Sequence, residues 1–196
     1  YAFNFEWSNK ALFYGQYERT RSYFQNSEMA ATGLPGPDEM KLLEPFRADL
    51  PPEVFTQEYN PPKGDEGGNI RSNLRTASKL LTEAGWVIKD GKRINAKTGK
   101  PFAFEMLLVS PLFERIALPF AKNLEKLGIA MTVRTIDTAQ YRRRLDTFDF
   151  DMVVGGFGQS LSPGNEQREF WTTSAADQEG SRNIIGIKSK AVDAIV

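Results

Sequence analysis

The apolar positions along the chain change rhythm three times. At the start, Tyr1, Phe3, Phe5 and Trp7 alternate with other residues, which predicts a strand with one buried face. Ser8 then suits the cap of a helix carrying Leu12, Phe13 and Tyr17, and a second short helix is expected from Tyr23 to Ala31, ending near Gly33. The aromatics of this region have two readings, core packing or the lining of a pocket at the end of the first strand.

Residues 33–70 carry no period. Seven of the eleven prolines fall here, with Gly64, Gly67 and Gly68. Such a stretch cannot form a continuous helix or a central strand, so a long surface segment is expected, with one helical turn at Met40–Glu44.

From Ile70 the pattern is regular. Leu74, Ala77, Leu80, Leu81 and Ala84 lie on one face of a helix that Ser72 or Asn73 caps and Gly85 stops. Asp90-Gly91 between Trp86-Val87-Ile88 and Lys92-Arg93-Ile94 signals a hairpin. A β-α-β-α-β order follows. Its strands are Phe102 to Val109, Ile129 to Ile136 and Phe150 to Val154, the last apolar enough to be buried on both faces. Its helices run from Ser110-Pro111 to Leu127, with Pro119 as a kink, and from Ala139 to Phe148 behind Asp137 or Thr138. The order predicts an α/β fold with parallel strands and right-handed crossovers. Ligands of such sheets sit beyond the carboxyl ends of the strands, which points to the loop from Gly155 onward.

Composition narrows the chemistry. The 196 residues include 25 Lys+Arg and 25 Asp+Glu, no His and no Cys. Zero formal charge gives no electrostatic case for nucleic acid. Without His or Cys the chain lacks a Ser–His triad, a thiolate nucleophile and the usual zinc ligands, and neither metal nor cofactor is expected. No apolar run reaches the roughly 18 residues of a membrane span. The aromatic opening and the helical ending Ala191–Val196 read as the middle of a longer sequence, whose missing N-terminal part is expected to hold a signal peptide.

Several constellations have plain explanations beside chemical ones. Gly155-Gly156-Phe157-Gly158 follows a strand, but Ser160-Leu161 stand where a dinucleotide fingerprint needs its third glycine. Gln159, Ser160, Ser162, Asn165, Glu166 and Gln167 are either a solvated loop or hydrogen-bonding partners for a neutral polar ligand. Arg142-Arg143-Arg144 point three ways on a helix and read as a solvated face. Asp146, Asp149 and Asp151 lack the spacing of a calcium loop. Glu166 and Glu169 form an acid–base pair only if a cleft raises one pKa.

Longer segments carry a resemblance. Leu80-Leu81-Thr82-Glu83-Ala84-Gly85-Trp86 followed by Asp90-Gly91, and Phe150-Asp151-Met152-Val153-Val154-Gly155-Gly156-Phe157, resemble segments of the family 5 solute-binding proteins of peptide and nickel ABC transporters. Phe13–Tyr17, Ser22–Glu28 and Gln159–Arg168 are similar to the YejA-type branch. The resemblance spans essentially the whole chain. It implies a type II periplasmic-binding-protein-like fold, a mixed sheet with helices on both faces. Residues 1–196 would be a single α/β lobe, the second of a two-lobed periplasmic receptor whose missing first lobe closes on the ligand. The implied partners are an oligopeptide or modified peptide and an inner-membrane ABC permease, with no catalysis. The branch is associated with oligopeptide uptake and with the peptide-nucleotide antibiotic microcin C.

Many peptide-binding members carry an Asp a few residues after a Gly-Trp turn, to pair with the peptide amino terminus. Here that place holds Ser160, and Phe157 replaces the Trp, so a blocked, modified or longer peptide is a candidate ligand. The expected ligand contacts are Gly158, Gln159, Ser160 and Asn165, with Trp7 as an aromatic wall. The rivals are a receptor of the same fold for an oligosaccharide or metal chelate, a hydrolase or transferase using Glu166 or Glu169, and a scaffold without a small ligand. In the complete receptor, Gln159→Ala with Ser160→Ala is expected to weaken ligand binding without lowering the melting temperature. Titration calorimetry and thermal melts check this, and unchanged affinity removes the loop from the site.

Overall fold

The structure, a computed structural model, describes residues 1–158 and 160–196. In chain order the regular elements are helices α1 (Phe5–Phe13), α2 (Pro37–Leu43), α3 (Glu53–Thr56) and α4 (Arg71–Glu83), then strands β1 (Trp86–Lys89), β2 (Lys92–Asn95) and β3 (Ala103–Leu108). Helix α5 (Glu114–Glu125), strand β4 (Ala130–Thr135), helix α6 (Thr138–Asp146) and strand β5 (Met152–Val153) complete the α/β region. Helices α7 (Glu166–Trp171), α8 (Thr173–Ala176) and α9 (Lys190–Ile195) follow. Two compact units emerge. Unit one comprises residues 1–19, 62–142 and 150–154, and unit two comprises residues 20–61, 143–149 and 155–196.

Unit one is built on a parallel sheet of order β4-β3-β5, with Ala103 opposite Ala130 and Met106 opposite Met152. The three strands expected from the β-α-β-α-β pattern are therefore present and parallel. β5 is shorter than its apolar run suggested, and its two residues are half-buried rather than covered on both faces. Leu107 and Leu108 of β3 are buried, as are Ala117 and Leu124 of α5 and Leu127 and Ile129 of the following turn. Leu74, Ala77 and Leu81 of α4 pack on Leu124, Leu127 and Ile129, whereas Leu80 and Ala84 of the expected face are exposed, and the helix starts at Arg71 after Ile70 rather than behind a Ser72 or Asn73 cap.

The first strand is replaced by a helix. Asn4, not Ser8, is the cap: its side chain accepts the Trp7 N–H at 3.2 Å, and Phe5 opens α1. A single satisfied N-cap outweighs the two-residue alternation, because an uncapped helix start leaves donors without partners. Ser8 lies buried inside α1. Asn4 also donates to the Asp65 carbonyl at 2.9 Å, Glu6 accepts the Gly64 N–H at 2.6 Å, and Arg19 donates to the Pro62 carbonyl at 2.6 Å. These bonds lash residues 62–65 to α1, and a Cβ added at Gly64 would stand 2.1 Å from the Asn4 side-chain oxygen.

In unit two, the helix expected from Tyr23 to Ala31 is instead a chain of turns. The Ser22 hydroxyl accepts from Phe24 and Ala31, and that of Ser27 from Met29. Short hydroxyl side chains offer the backbone an alternative to helix formation. The proline-rich segment is broken as expected, but it forms more than one helical turn: α2 starts with Pro37 in its first position, and Pro45 and Pro51-Pro52 separate it from α3. Asn183 is fully buried. It donates to the carbonyls of Thr172 and Ile187 and accepts the Ile187 N–H at 3.0 Å, tying α8 to the approach to α9.

The hairpin β1–β2 forms as predicted, with Asp90 and Gly91 both at positive φ in its two-residue turn. What the pattern did not announce is Arg93. It is 2 % exposed, and its guanidinium donates to the Leu127 and Trp86 carbonyls and to the Thr82 and Ser78 hydroxyls, at 2.9–3.4 Å. No carboxylate pairs with it among the described residues. Ser78 and Thr82 lie on the C-terminal half of α4, and Leu127 just beyond α5, where helix carbonyls carry negative partial charge. Gly128 completes the joint: its carbonyl accepts the Arg93 N–H at 2.8 Å, its φ is +78°, and an added Cβ would meet the Arg93 nitrogen at 2.7 Å.

Arg93→Met is expected to destabilise the protein by about 3 kcal/mol, since it strands the buried Leu127 carbonyl and removes three part-buried bonds to Trp86, Ser78 and Thr82. Gly128→Ala is expected to destabilise through strain and collision. Urea midpoints of the two variants against the wild type check both.

Candidate functional site

Each unit holds a candidate site, and unit one also has a larger hollow of about 560 Å³ between the β1–β2 turn, α5 and β4, edged by Lys92, Lys122 and Glu125. In unit one, α1 and the start of α5 form the walls of a cleft of about 380 Å³. Phe3, Phe5, Phe13 and Tyr17 line one side, and Leu112, Phe113, Arg115 and Ile116 the other. The second wall begins just past the carboxyl end of β3, the end at which parallel α/β sheets hold ligands. Ser110 caps this turn by accepting the Leu112 N–H at 3.3 Å. Tyr17 is held by Asn9, whose side chain donates to the Tyr17 carbonyl at 2.6 Å and accepts its N–H at 3.0 Å. The Tyr17 ring meets Phe13 edge-on at 4.8 Å, and Arg115 lies over the other aromatic partner of this wall, 4.8 Å from the Phe13 centroid.

In unit two, the loop after β5 leads into α7 beside an aromatic cluster. Phe157 packs on Trp171 at 4.7 Å and on Phe170 at 5.3 Å, and Tyr23 meets Trp171 edge-on at 5.1 Å. Partial burial pushes the pKa of the Tyr23 hydroxyl up from its ordinary value. Arg182 stacks on Phe170 at 4.1 Å and pairs with Glu169 at 3.3 Å. Glu166 accepts the Gly164 N–H at 2.9 Å, and that backbone donor holds its carboxyl below the usual range. A general acid at neutral pH needs the opposite shift.

The residues expected to touch ligand fall in both units. Trp7 is in unit one, on α1 rather than on a strand. It is half-buried, with its indole against Gly68, and does not line the aromatic cleft. Gly158, Ser160 and Asn165 are exposed on the loop of unit two. A Cβ at Gly156 or Gly158 would meet nothing within 4 Å, so neither glycine is required by packing. The Ser160 hydroxyl donates to the Ser162 carbonyl. Asn165 precedes α7 without a side-chain cap. Gln159 lies outside the described residues. The arginine run is not uniformly solvated, because Arg144 is half-buried and bonds to the Asp149 carbonyl at 2.7 Å. Asp151 accepts the Glu105 N–H at 2.8 Å, and the described residues contain no cluster of three or more acidic groups suited to a metal.

The aromatic cleft was only half legible beforehand. The crowding of aromatics in residues 1–32 points to a pocket as one alternative, but nothing local marks Leu112, Phe113 or Arg115 as its second wall.

Parallel strands with helical crossovers and a cleft past their carboxyl ends make this a ligand-binding type of α/β architecture. The chain belongs to the family described as bacterial extracellular solute-binding proteins, family 5 Middle, whose model matches residues 1–179. The probable peptide-binding protein YejA of Agrobacterium fabrum is 45% identical over 196 residues, which is 100% of this chain and 32% of that protein. The oligopeptide-binding protein AppA of Bacillus subtilis, solved with a nonapeptide, matches with a TM-score of 0.66 at 20% identity, over 96% of this chain and 32% of its own. A periplasmic oligopeptide-binding protein of Thermotoga maritima, solved with mannohexaose, matches with a TM-score of 0.62 at 22% identity, over 100% of this chain and 33% of its own. These two likenesses are of fold. The chain spans about a third of the length of such curated relatives.

In unit two, Asp193 accepts the Thr173 N–H at 2.7 Å, and this backbone bond lowers its pKa as Gly164 lowers that of Glu166. A depressed folded pKa adds stability above the unfolded pKa and loses it as pH falls through the folded one. The double variant Glu166→Gln, Asp193→Asn is therefore expected to melt lower than wild type at neutral pH. It should also lose less melting temperature on acidification, as scanning calorimetry across acid pH reads.

Proposed function

We propose that this chain is part of the second lobe of a two-lobed periplasmic receptor that binds oligopeptides or modified peptides and hands them to an inner-membrane ABC permease. The observation that carries this reading is the family match over 179 residues, joined to 45% identity along this chain with a probable peptide-binding protein. The geometry supports it: a stiff sheet end, a loop rich in hydrogen-bonding groups and an apolar cleft are what a receptor of varied peptides needs. Hinge closure onto the ligand would bring the rest of the receptor over these surfaces.

A non-catalytic role is part of the proposal. Glu166 spends its carboxylate on Gly164 and Glu169 spends its own on Arg182, which leaves neither set up as an acid–base pair. A second reading, a receptor for an oligosaccharide, is favoured by one observation: the mannohexaose-bound relative shares this fold.

Native mass spectrometry of the full-length receptor, purified without unfolding, tests the proposal. A heterogeneous set of bound peptide masses is expected. A single carbohydrate mass selects the second reading, and failure to retain or bind any peptide from a random library overturns the first.

A further inference from the structure

The aromatic cleft of unit one is a built feature that folding alone does not call for. Leu112 is 69% exposed, Tyr17 59% and Phe113 38%. Single exposed apolar residues are ordinary, but these three face one concavity together with Phe3, Phe5 and Phe13. The walls are held by polar bonds beneath them. Asn9 clasps Tyr17 through both backbone groups, and Ser110 caps the turn bearing Leu112 and Phe113. A cleft whose shape is set by such supports is preorganised to receive an apolar group without first paying to assemble. Arg115 is the charged residue of the lining. Its guanidinium is stacked on Phe13 and forms no ion pair among the described residues, so a second cation entering the cleft is repelled.

We propose that this cleft is a side-chain pocket selecting a peptide residue with an aromatic or large branched-aliphatic side chain and rejecting a cationic one. The inference rests on the peptide-receptor reading above. The volume of about 380 Å³ falls within the range of small-ligand pockets, and the apolar lining matches the occupant. Burying a phenylalanine side chain in place of alanine is worth about a tenfold to hundredfold gain in affinity.

The test uses the full-length receptor and tetra-alanine, with each position replaced in turn by Phe or by Lys, and reads affinity by titration calorimetry. At one position Phe is expected to bind at least about tenfold more tightly than Ala, and Lys more weakly than Ala. Leu112→Asp and Phe113→Ala should each reduce the Phe advantage to within about twofold, by removing apolar contact at the mouth. The exposure of Leu112 makes its variant safe for folding, and circular dichroism melts verify both variants. Tetra-alanine binding with no position favouring Phe overturns the pocket alone, as does a Phe advantage that survives both substitutions. Failure of every peptide to bind, in both its free and its N-acetylated form, tetra-alanine included, overturns the peptide-receptor reading and the pocket with it.

Discussion

A buried guanidinium organises the α/β unit. Moving a charge out of water costs several kcal/mol, and an arginine is kept inside only when its donors find partners. Arg93 finds them without a carboxylate, in two hydroxyls one turn apart on α4, one carbonyl of β1 and one carbonyl just past α5. The two hydroxyls lie along the flank of α4 and the Leu127 carbonyl follows the last turn of α5, so neutral dipoles take the place of an acidic side chain. The backbone of the same residue is engaged as well, donating to Gly128 and accepting from Phe102. One side chain and its peptide groups thus join the hairpin, two helices and the entries to β3 and β4.

This joint lies at the amino ends of β3 and β4, and the aromatic cleft opens past the carboxyl end of β3. The division has a physical logic. Packing and hydrogen bonds accumulate where the chain must be rigid. The opposite end keeps apolar side chains within reach of solvent, on a wall whose backbone is fixed by Ser110 and Asn9 rather than by burial. Unit two follows a comparable plan on a smaller scale, with the buried amide of Asn183 bracing the segments around α8 and α9 and an aromatic cluster beside the loop at Phe157.

Local signals were legible where one chemical cause dominated. Asp90-Gly91 reports its turn because only a few residues accept positive φ twice in succession. The parallel strands show as apolar runs between helical stripes, and three of the five positions the period marks on α4, Leu74, Ala77 and Leu81, are the ones that pack. The opening segment misled because two causes competed. Alternating aromatics suit a strand, but Asn4 had both a helix to cap and the Asp65 carbonyl to bond. The second of these partners lies sixty-one positions away, beyond the reach of any local pattern. The Tyr23–Ala31 stretch failed for a nearer reason, since Ser22 and Ser27 capture backbone donors that a helix would have used.

The sequence by itself determined the α/β order of elements, the absence of histidine and cysteine chemistry, and membership of a solute-binding family through segments spread along its length. It also marked the polar loop after β5, because glycines, serines and amides cluster there. Only the tertiary structure decided that Arg93 is buried, that residues 62–65 are bound to α1, and that aromatics near the start share a cleft with Leu112 and Phe113 about a hundred positions later. Those facts are long-range pairings. Burial, charge compensation and the shape of a cavity depend on which distant elements meet, and residue type and spacing constrain only the near neighbours of each position.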